Sequence, residues 1–215
     1  MIPAFNAEST LTSLLQGVSQ FIPLTQIIVV DDGSGDGTSS IARAMGVQPL
    51  RHAKNLGKGA ALKSGLREAF KNDEVKACIT MDADGQHEPH FIPRFMAIMQ
   101  AERGDLVIGA RRLSLREMPI LRVMSNRLTS ALISLKLGQP IQDSQCGYRL
   151  ISRKAFSELQ LSSDGFDLES EMLMKAGRAE LKIVWLRIST IYCEEKSHIR
   201  GLRDTWRFVK TYLSL

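Results

Sequence analysis

The sequence has no run of about 18 apolar residues, the length a helix needs to cross a bilayer, so no bilayer-spanning helix is expected. Its opening, MIPAFNAEST, has neither a charged lead nor a long apolar stretch, which argues against a secretory signal. Cysteine is scarce. Cys78, Cys146 and Cys193 stand far apart and are odd in number, which argues against a disulfide framework or a zinc knuckle and fits small buried residues in a reducing cytoplasm. Aromatic residues make up only 6% of the chain and do not interleave with its basic stretches, so a nucleic-acid stacking platform is not expected. The P-loop spacing, the G-x-G-x-x-G fingerprint and the G-x-S-x-G elbow are all missing, as are internal repeats and any Pro/Gly/Ser linker. His87 and His90 are not at metal-binding spacing, and His52 and His198 are remote from them, so zinc is not expected.

What is present is ordinary globular composition: 215 residues, 44% hydrophobic and 24% charged. One domain over residues 1–215 is the expectation. The net charge of +5 is unevenly spread. Residues 111–136 hold six Arg/Lys against one acid, and residues 196–215 hold five against one. Two basic stretches on a mildly acidic body suggest an anionic partner, or two solvated helix faces.

Strand and helix alternate along the first half. The spacing of Leu11, Leu14, Leu15 and Val18 predicts a helix within Glu8–Phe21, and further helices are expected at Thr38–Met45, Gly59–Phe70 and Pro89–Ala101. Short apolar runs predict strands at Gln26–Val30, Val47–Arg51, Lys76–Met81 and Leu106–Gly109. Such alternation implies an α/β fold with a mostly parallel sheet flanked by helices, whose ligands bind at the carboxyl ends of the strands. Further on, helices are expected at Met118–Leu137, Gly165–Ala176 and Thr205–Leu215, a strand at Lys182–Ile191, and an irregular polar segment over Asp143–Ser152.

Two acidic clusters follow directly from apolar strands. Asp82-Ala83-Asp84 comes after Ala77–Met81, and two carboxylates at i and i+2 in an extended turn can share one hard divalent cation, with sites left for phosphate oxygens. The alternative is a solvated turn in which an Asp caps the next helix. Asp31-Asp32-Gly33-Ser34 follows Ile27–Val30. Its carboxylates can accept from a ribose hydroxyl or a base N–H, or simply form an Asx turn and cap the helix from Thr38. Gly57-Lys58-Gly59 precedes a helix and is placed to offer backbone N–H groups to phosphate, or to make a turn and nothing more.

In order along the chain, these segments resemble family 2 glycosyltransferases of the GT-A fold. The resemblance is strongest to the dolichyl-phosphate mannosyltransferase and polyprenyl-phosphate glycosyltransferase branch. It is carried by Ile2–Glu8, Val29–Ser34, Asn55–Gly59, Met81–His87, Gly109–Arg112, Asp143–Arg149 and Glu195–His198. The resemblance implies sugar transfer from a nucleotide-sugar donor, UDP- or GDP-linked, with inversion at the anomeric carbon. It implies that Pro3, Phe5, Glu8 and Asp32 hold the nucleoside. Asp82, Asp84 and Gln86 would hold magnesium or manganese against the diphosphate, with Ala83 and Lys58 beside them. Arg111 would lie near the phosphates, and Lys196, Ser197, His198 and Arg200 would belong to a loop closing over them. The implied acceptor is polyprenyl phosphate at the membrane surface. The implied location is cytoplasmic, compatible with peripheral contact at the inner face of the membrane. Relatives carry several apolar residues before the Ile-Pro-Ala-Phe-Asn segment, so the first strand is expected to be almost missing.

Chemistry leads to the same residue types. Loss of a diphosphate concentrates negative charge on its oxygens, which a divalent cation and nearby Arg/Lys stabilise. A phosphate acceptor is already anionic, whereas a hydroxyl acceptor needs a carboxylate base. Asp167 is the first candidate for that base and Glu169 the second, unless both merely solubilise their helix and pair with Arg/Lys. The helix Met118–Leu137 reads in two ways. Its stripe of Leu121, Met124, Leu128, Leu132 and Leu135, beside Arg122, Arg127 and Lys136, suits either a packed core or a membrane surface. Other readings of the whole are a transferase with a saccharide hydroxyl acceptor, a haloacid-dehalogenase-like phosphatase on the strength of Asp82–Gly85, and a nucleotide-sugar-binding relative without activity.

Overall fold

The computed structural model describes residues 1–101, 103–112, 118–191 and 201–215, with side chains of the last segment from residue 205. Strands β1 (Ile2–Ala4), β2 (Val29–Asp31) and β3 (Leu50–Arg51) pair in parallel in the order β1-β2-β3. Strands β4 (Ala77–Thr80), β5 (Leu106–Arg111), β6 (Arg149–Ser152) and β7 (Ile183–Ile188) form a second group in the order β4-β6-β5-β7. The two groups meet at Met1, whose amino group donates to Ile79 O at 2.7 Å while Met81 N–H donates to Met1 O at 3.1 Å. β1 therefore forms, short as it is, and lies between β2 and β4.

The expected parallel character holds for β1-β2, β2-β3 and β5-β7, but β6 runs antiparallel to both β4 and β5. β6 corrects the expectation of an irregular segment through Ser152, and the short helix α6 (Arg153–Glu158) follows it. Four residues inside a polar motif give too little periodicity to read. Here both faces of the strand are buried, so polar and apolar positions do not alternate.

Helices α1 (Leu11–Ser19), α2 (Thr38–Ala44), α3 (Lys58–Ala69) and α4 (Ile92–Gln100) cover the sheet. α1 buries Leu11, Leu14, Leu15 and Val18, the stripe its spacing predicts. α7 (Leu168–Arg178) is buried along most of its length, and α8 (Gly201–Ser214) packs beside it. Among the described residues, no helix is long and apolar enough to cross a membrane. Cys78 and Cys146 are buried free thiols, as expected, and Cys193 lies outside the described residues.

α5 (Ile120–Leu137) does not bury its apolar stripe as the packed-core reading requires. Val123, Asn126, Ser130 and Ile133 face inward, while Leu121, Met124, Leu128 and Leu135 are exposed. The inward face is half polar because it binds a loop. Asn126 Nδ2 donates to Asp143 Oδ1 at 2.7 Å, Ser130 Oγ donates to Ser144 Oγ at 3.0 Å, and Ser144 N–H donates back to Ser130 Oγ at 3.1 Å.

Candidate active site

A cleft of about 550 Å³ opens at the carboxyl ends of β1, β2 and β4. Pro3 and Phe5 line one wall, Asp32 and Asn55–Lys58 the next, Asp82–Asp84 a third, and Gly165, Phe166 and Arg207 close the rim.

The first wall is built by a reciprocal turn. Asn6 sits at φ 51, in the left-handed region that asparagine tolerates better than most residues. Its N–H donates to Ser34 Oγ at 2.9 Å, and its side-chain oxygen accepts from Gly35 N–H at 2.9 Å. This locks the Ile-Pro-Ala-Phe-Asn segment to the Asp-Asp-Gly-Ser turn and points Phe5 at the cleft. Glu8 is exposed and accepts from Gly37 N–H at 2.8 Å, which secures the start of α2.

Asp32 lines the cleft and also organises the loop behind it. It accepts from Leu56 N–H at 2.9 Å and Gly57 N–H at 2.8 Å, and pairs with His52 Nδ1 at 2.7 Å. Gly57 holds φ 107, a conformation that favours glycine. The N–H groups around Gly57–Gly59 are partly committed inside the protein, since Gly57 donates to Asp32 and Ala60 to Asp164 O at 3.2 Å. Lys58, by contrast, extends its side chain to the acids. Its Nζ lies 2.8 Å from Asp82 Oδ1 and 2.7 Å from Glu169 Oε1. Burial alone would lower its pKa, but the two carboxylates outweigh it and raise the pKa, so the ammonium stays charged.

Burial would raise the Asp82 pKa, yet Lys58 first, and Arg111 further away, hold it below the ordinary carboxylate range. His87, behind it, accepts the Asp82 backbone N–H at 3.2 Å through Nδ1. Burial drives the imidazole down to about 4, so it is the neutral acceptor this bond requires. Asp84 lines the cleft beside Asp82 and accepts Gln86 N–H at 3.0 Å. Gln86 thus supports the Asp84 turn and is not part of the cleft wall.

Arg111, at the end of β5, is held by Asp143 through Nε at 2.7 Å and a terminal nitrogen at 3.0 Å. Burial opposes its charge, but Asp143 raises its pKa above the usual value. The segment Asp143–Arg149 is anchored by buried Arg149, which donates to Cys146 O, Glu169 O and Ser144 O at 2.8, 2.8 and 2.9 Å. Gly147 is required beside Asp82, because a Cβ there would stand 2.7 Å from the Asp82 carboxyl carbon.

The two candidate bases separate. Glu169 is the counterion of Lys58. Asp167 precedes α7, accepts from Thr211 Oγ1 at 3.1 Å through Oδ2, and keeps a buried Oδ1 with no hydrogen-bond partner among the described residues. Lys196, Ser197, His198 and Arg200 lie outside the described residues. Sequence reasoning missed Asp143 and Arg149 as organisers and Phe166 and Arg207 as rim residues. The Asp143–Arg149 segment was a signal for the first pair, but nothing local marked the second.

The family model for glycosyl transferase family 2 matches residues 1–160. The chain belongs to glycosyl transferase family 2. It is 35% identical over 199 residues to an uncharacterized protein of Methanocaldococcus jannaschii, covering 90% of this chain and 81% of that one. It is also 30% identical over 216 residues to the UDP-N-acetylglucosamine–dolichyl-phosphate N-acetylglucosaminyltransferase of Methanococcus voltae, covering 90% of this chain and 85% of that one. The fold matches glucosyl-3-phosphoglycerate synthase of Mycobacterium tuberculosis, solved with Mn2+, uridine diphosphate and glucosyl-3-phosphoglycerate. The TM-score is 0.76 at 23% identity, and the match covers 99% of this chain and 77% of that one. The GT-A fold and glycosyltransferase activity read from the sequence are borne out. Family 2 membership sets aside the phosphatase reading.

Proposed function

We propose that this family 2 glycosyltransferase is metal-dependent and inverting, and moves a sugar from a UDP- or GDP-sugar to a polyprenyl or dolichyl phosphate. The observation that carries the reading is the pairing of Asp82 and Asp84 on one wall of the cleft, with Lys58 in contact with Asp82. The dolichyl-phosphate relative from Methanococcus voltae supports the acceptor class.

The residues fit a divalent cation. Two carboxylates in a tight turn are hard oxygen donors, and the open cleft leaves room for phosphate oxygens and water to complete the shell. Gly147 keeps the space beside Asp82 free of a side chain. Asp82 and Asp84 would hold Mg2+ or Mn2+, which when bound would stabilise charge on the departing diphosphate. Lys58 and Arg111 add fixed positive charge already in place, which costs no reorganisation as that charge develops. Phe5 offers an apolar face to the base, and Pro3 stiffens the wall beneath it.

An acceptor phosphate oxygen attacks the anomeric carbon from the face opposite the diphosphate. The new C–O bond forms as the old one breaks, and the configuration inverts. No proton has to be removed, so Glu169 is free to remain the partner of Lys58. One observation favours a second reading. Asp167 Oδ1 is buried with no hydrogen-bond partner among the described residues, and a hydroxyl acceptor would need a carboxylate base, a role Asp167 would fill only by turning into the cleft past Gly165 and Phe166.

Calorimetric titration with UDP-glucose, UDP-N-acetylglucosamine and GDP-mannose, with and without Mn2+, tests the donor half. Asp84→Asn is expected to lose metal-dependent binding. Binding unaffected by chelation or by Asp84→Asn would sink the metal reading. Transfer to polyprenyl phosphate but not to polyprenol or free sugars is expected, and transfer to a hydroxyl acceptor alone would replace the first reading with the second.

A further inference from the structure

We propose that the outer faces of α5 and α8 form a docking surface for an anionic lipid bilayer. On α5, Leu121, Met124, Leu128 and Leu135 fall at intervals of three, four and seven residues, and are 61–80% exposed. With 1.5 Å of rise per residue, the stripe runs about 21 Å along the helix. α8 adds a parallel feature, with Trp206 68% and Leu213 76% exposed. The two helices touch, since Tyr212 Oη donates to Leu132 O at 3.3 Å and Lys136 Nζ donates to Tyr212 O. On a helical wheel, the exposed α5 residues lie within about 80° of Leu132, so the α5 stripe adjoins the contact with α8, while Trp206 and Leu213 share one face of α8 about 100–120° from Tyr212. An exposed apolar stripe of this length on a folded domain marks an interaction site.

Charge selects the occupant. Residues 118–137 contain Arg122, Arg127 and Lys136 and no acid, and residues 205–215 contain Arg207 and Lys210 and no acid. A second copy docked through the same face would set these cations against one another. An anionic lipid surface instead takes the apolar stripe into its acyl boundary, and the net positive charge of the two helices favours its headgroups. Exposed Trp206 is the side-chain type favoured at that boundary.

Both helices also reach the cleft. From the inner side of α5, Asn126 holds Asp143, which holds Arg111, and on α8 Arg207 lines the cleft rim. A bilayer on this surface would present an anchored phosphate beside the cations of the site. That last link rests on the lipid-phosphate reading above, but the surface itself does not.

The test uses the full chain and vesicles without polyprenyl phosphate. Co-sedimentation is measured with pure phosphatidylcholine and with phosphatidylcholine mixed with phosphatidylglycerol. Wild type is expected to partition onto the anionic vesicles, at least tenfold more weakly onto neutral ones, and less as salt is raised. Leu121→Gln/Leu128→Gln/Leu135→Gln, all at exposed positions, is expected to cut partitioning at least tenfold. Its circular dichroism and donor-nucleotide binding should match wild type. Arg122→Gln/Arg127→Gln is expected to erase most of the preference for anionic vesicles. Absence of vesicle binding, or equal binding by the triple variant, overturns the proposal. So does a dimer, seen by light scattering, that the triple variant abolishes, because the face would then belong to a second copy. Intact donor binding with no vesicle binding refutes this surface alone, and the reverse result refutes the donor chemistry alone.

Discussion

The guanidinium of Arg111 grips both carboxylate oxygens of Asp143, at 2.7 and 3.0 Å, with Asp143 fully buried and Arg111 nearly so. Two parallel N–H···O bonds fix the plane of the guanidinium as well as its position. Asp143 also accepts from Asn126, so one carboxylate joins β5, α5 and the Asp143–Arg149 loop. Arg111 is thereby aimed at the side of the site where Asp82 lies, and it contributes to holding Asp82 ionised.

Removing one partner of this pair is expected to do more harm than the pair itself contributes. Asp143→Ala would leave Arg111 charged and buried, a loss on the order of 3–5 kcal/mol, read by urea unfolding. Arg111→Lys keeps the charge but not the fork. Stability should fall by less, about 1–2 kcal/mol, while turnover falls at least tenfold because one flexible ammonium cannot make both bonds. Equal turnover in Arg111→Lys would show that the fixed plane is irrelevant to the reaction.

Gly147→Ala isolates the packing behind Asp82. The added methyl would meet the carboxyl carbon at 2.7 Å, and Asp82 would have to move. Its bond to Lys58 and its distance from Asp84 would both change. Donor titration with Mn2+ is expected to show at least tenfold weaker binding, with a stability cost of about 1–3 kcal/mol, typical of overpacking. Unchanged metal-dependent binding would mean that Asp82 need not be held where it is.

The site was legible in part because its acids are local. A buried strand followed by Asp82-Ala83-Asp84 carries both the position and the chemistry within eight residues, and Asp32 follows the same strand-end logic, whereas Pro3 and Phe5 were implied by the family resemblance alone. Arg149 was not legible as an anchor. Its three acceptors are backbone carbonyls, one of them on α7, and carbonyls leave no trace in a sequence. The orientation of α5 was undetermined for a related reason. Its apolar residues and its loop-binding residues, Asn126 and Ser130, have the same three- and four-residue spacing. Which face turns inward depends on the loop at Asp143–Ser144, seventeen residues beyond Asn126. β6 was hidden by length, and its antiparallel pairing is fixed by neighbours distant in sequence.

Glu171 supplies a prediction in pH. It is buried on α7 and accepts from Ser162 N–H at 2.9 Å, Ser162 Oγ at 2.8 Å and Ser163 N–H at 2.8 Å, with Lys175 Nζ at 2.7 Å. Burial pushes its pKa up, but Lys175 and the serine donors outweigh it and bring the carboxyl down to about 2, from 4.5. The folded state therefore prefers the ionised form more than the unfolded chain does. The stabilisation, on the order of 3 kcal/mol, is fully present above the unfolded value and is lost as pH falls from about 4.5 toward 2. Glu171→Gln should be destabilised at pH 7, and its deficit against wild type should shrink steadily across that window in urea titrations. The effect reaches the site as well, because the loop that Glu171 tethers leads into Asp164, which covers the first turn of α3 through its bond from Ala60 N–H, and into Gly165 at the cleft rim. Donor affinity in Glu171→Gln at pH 7 is expected to drop severalfold while metal dependence persists. A deficit that stayed constant from pH 7 to pH 3 would show that Glu171 acts through packing and not through its charge.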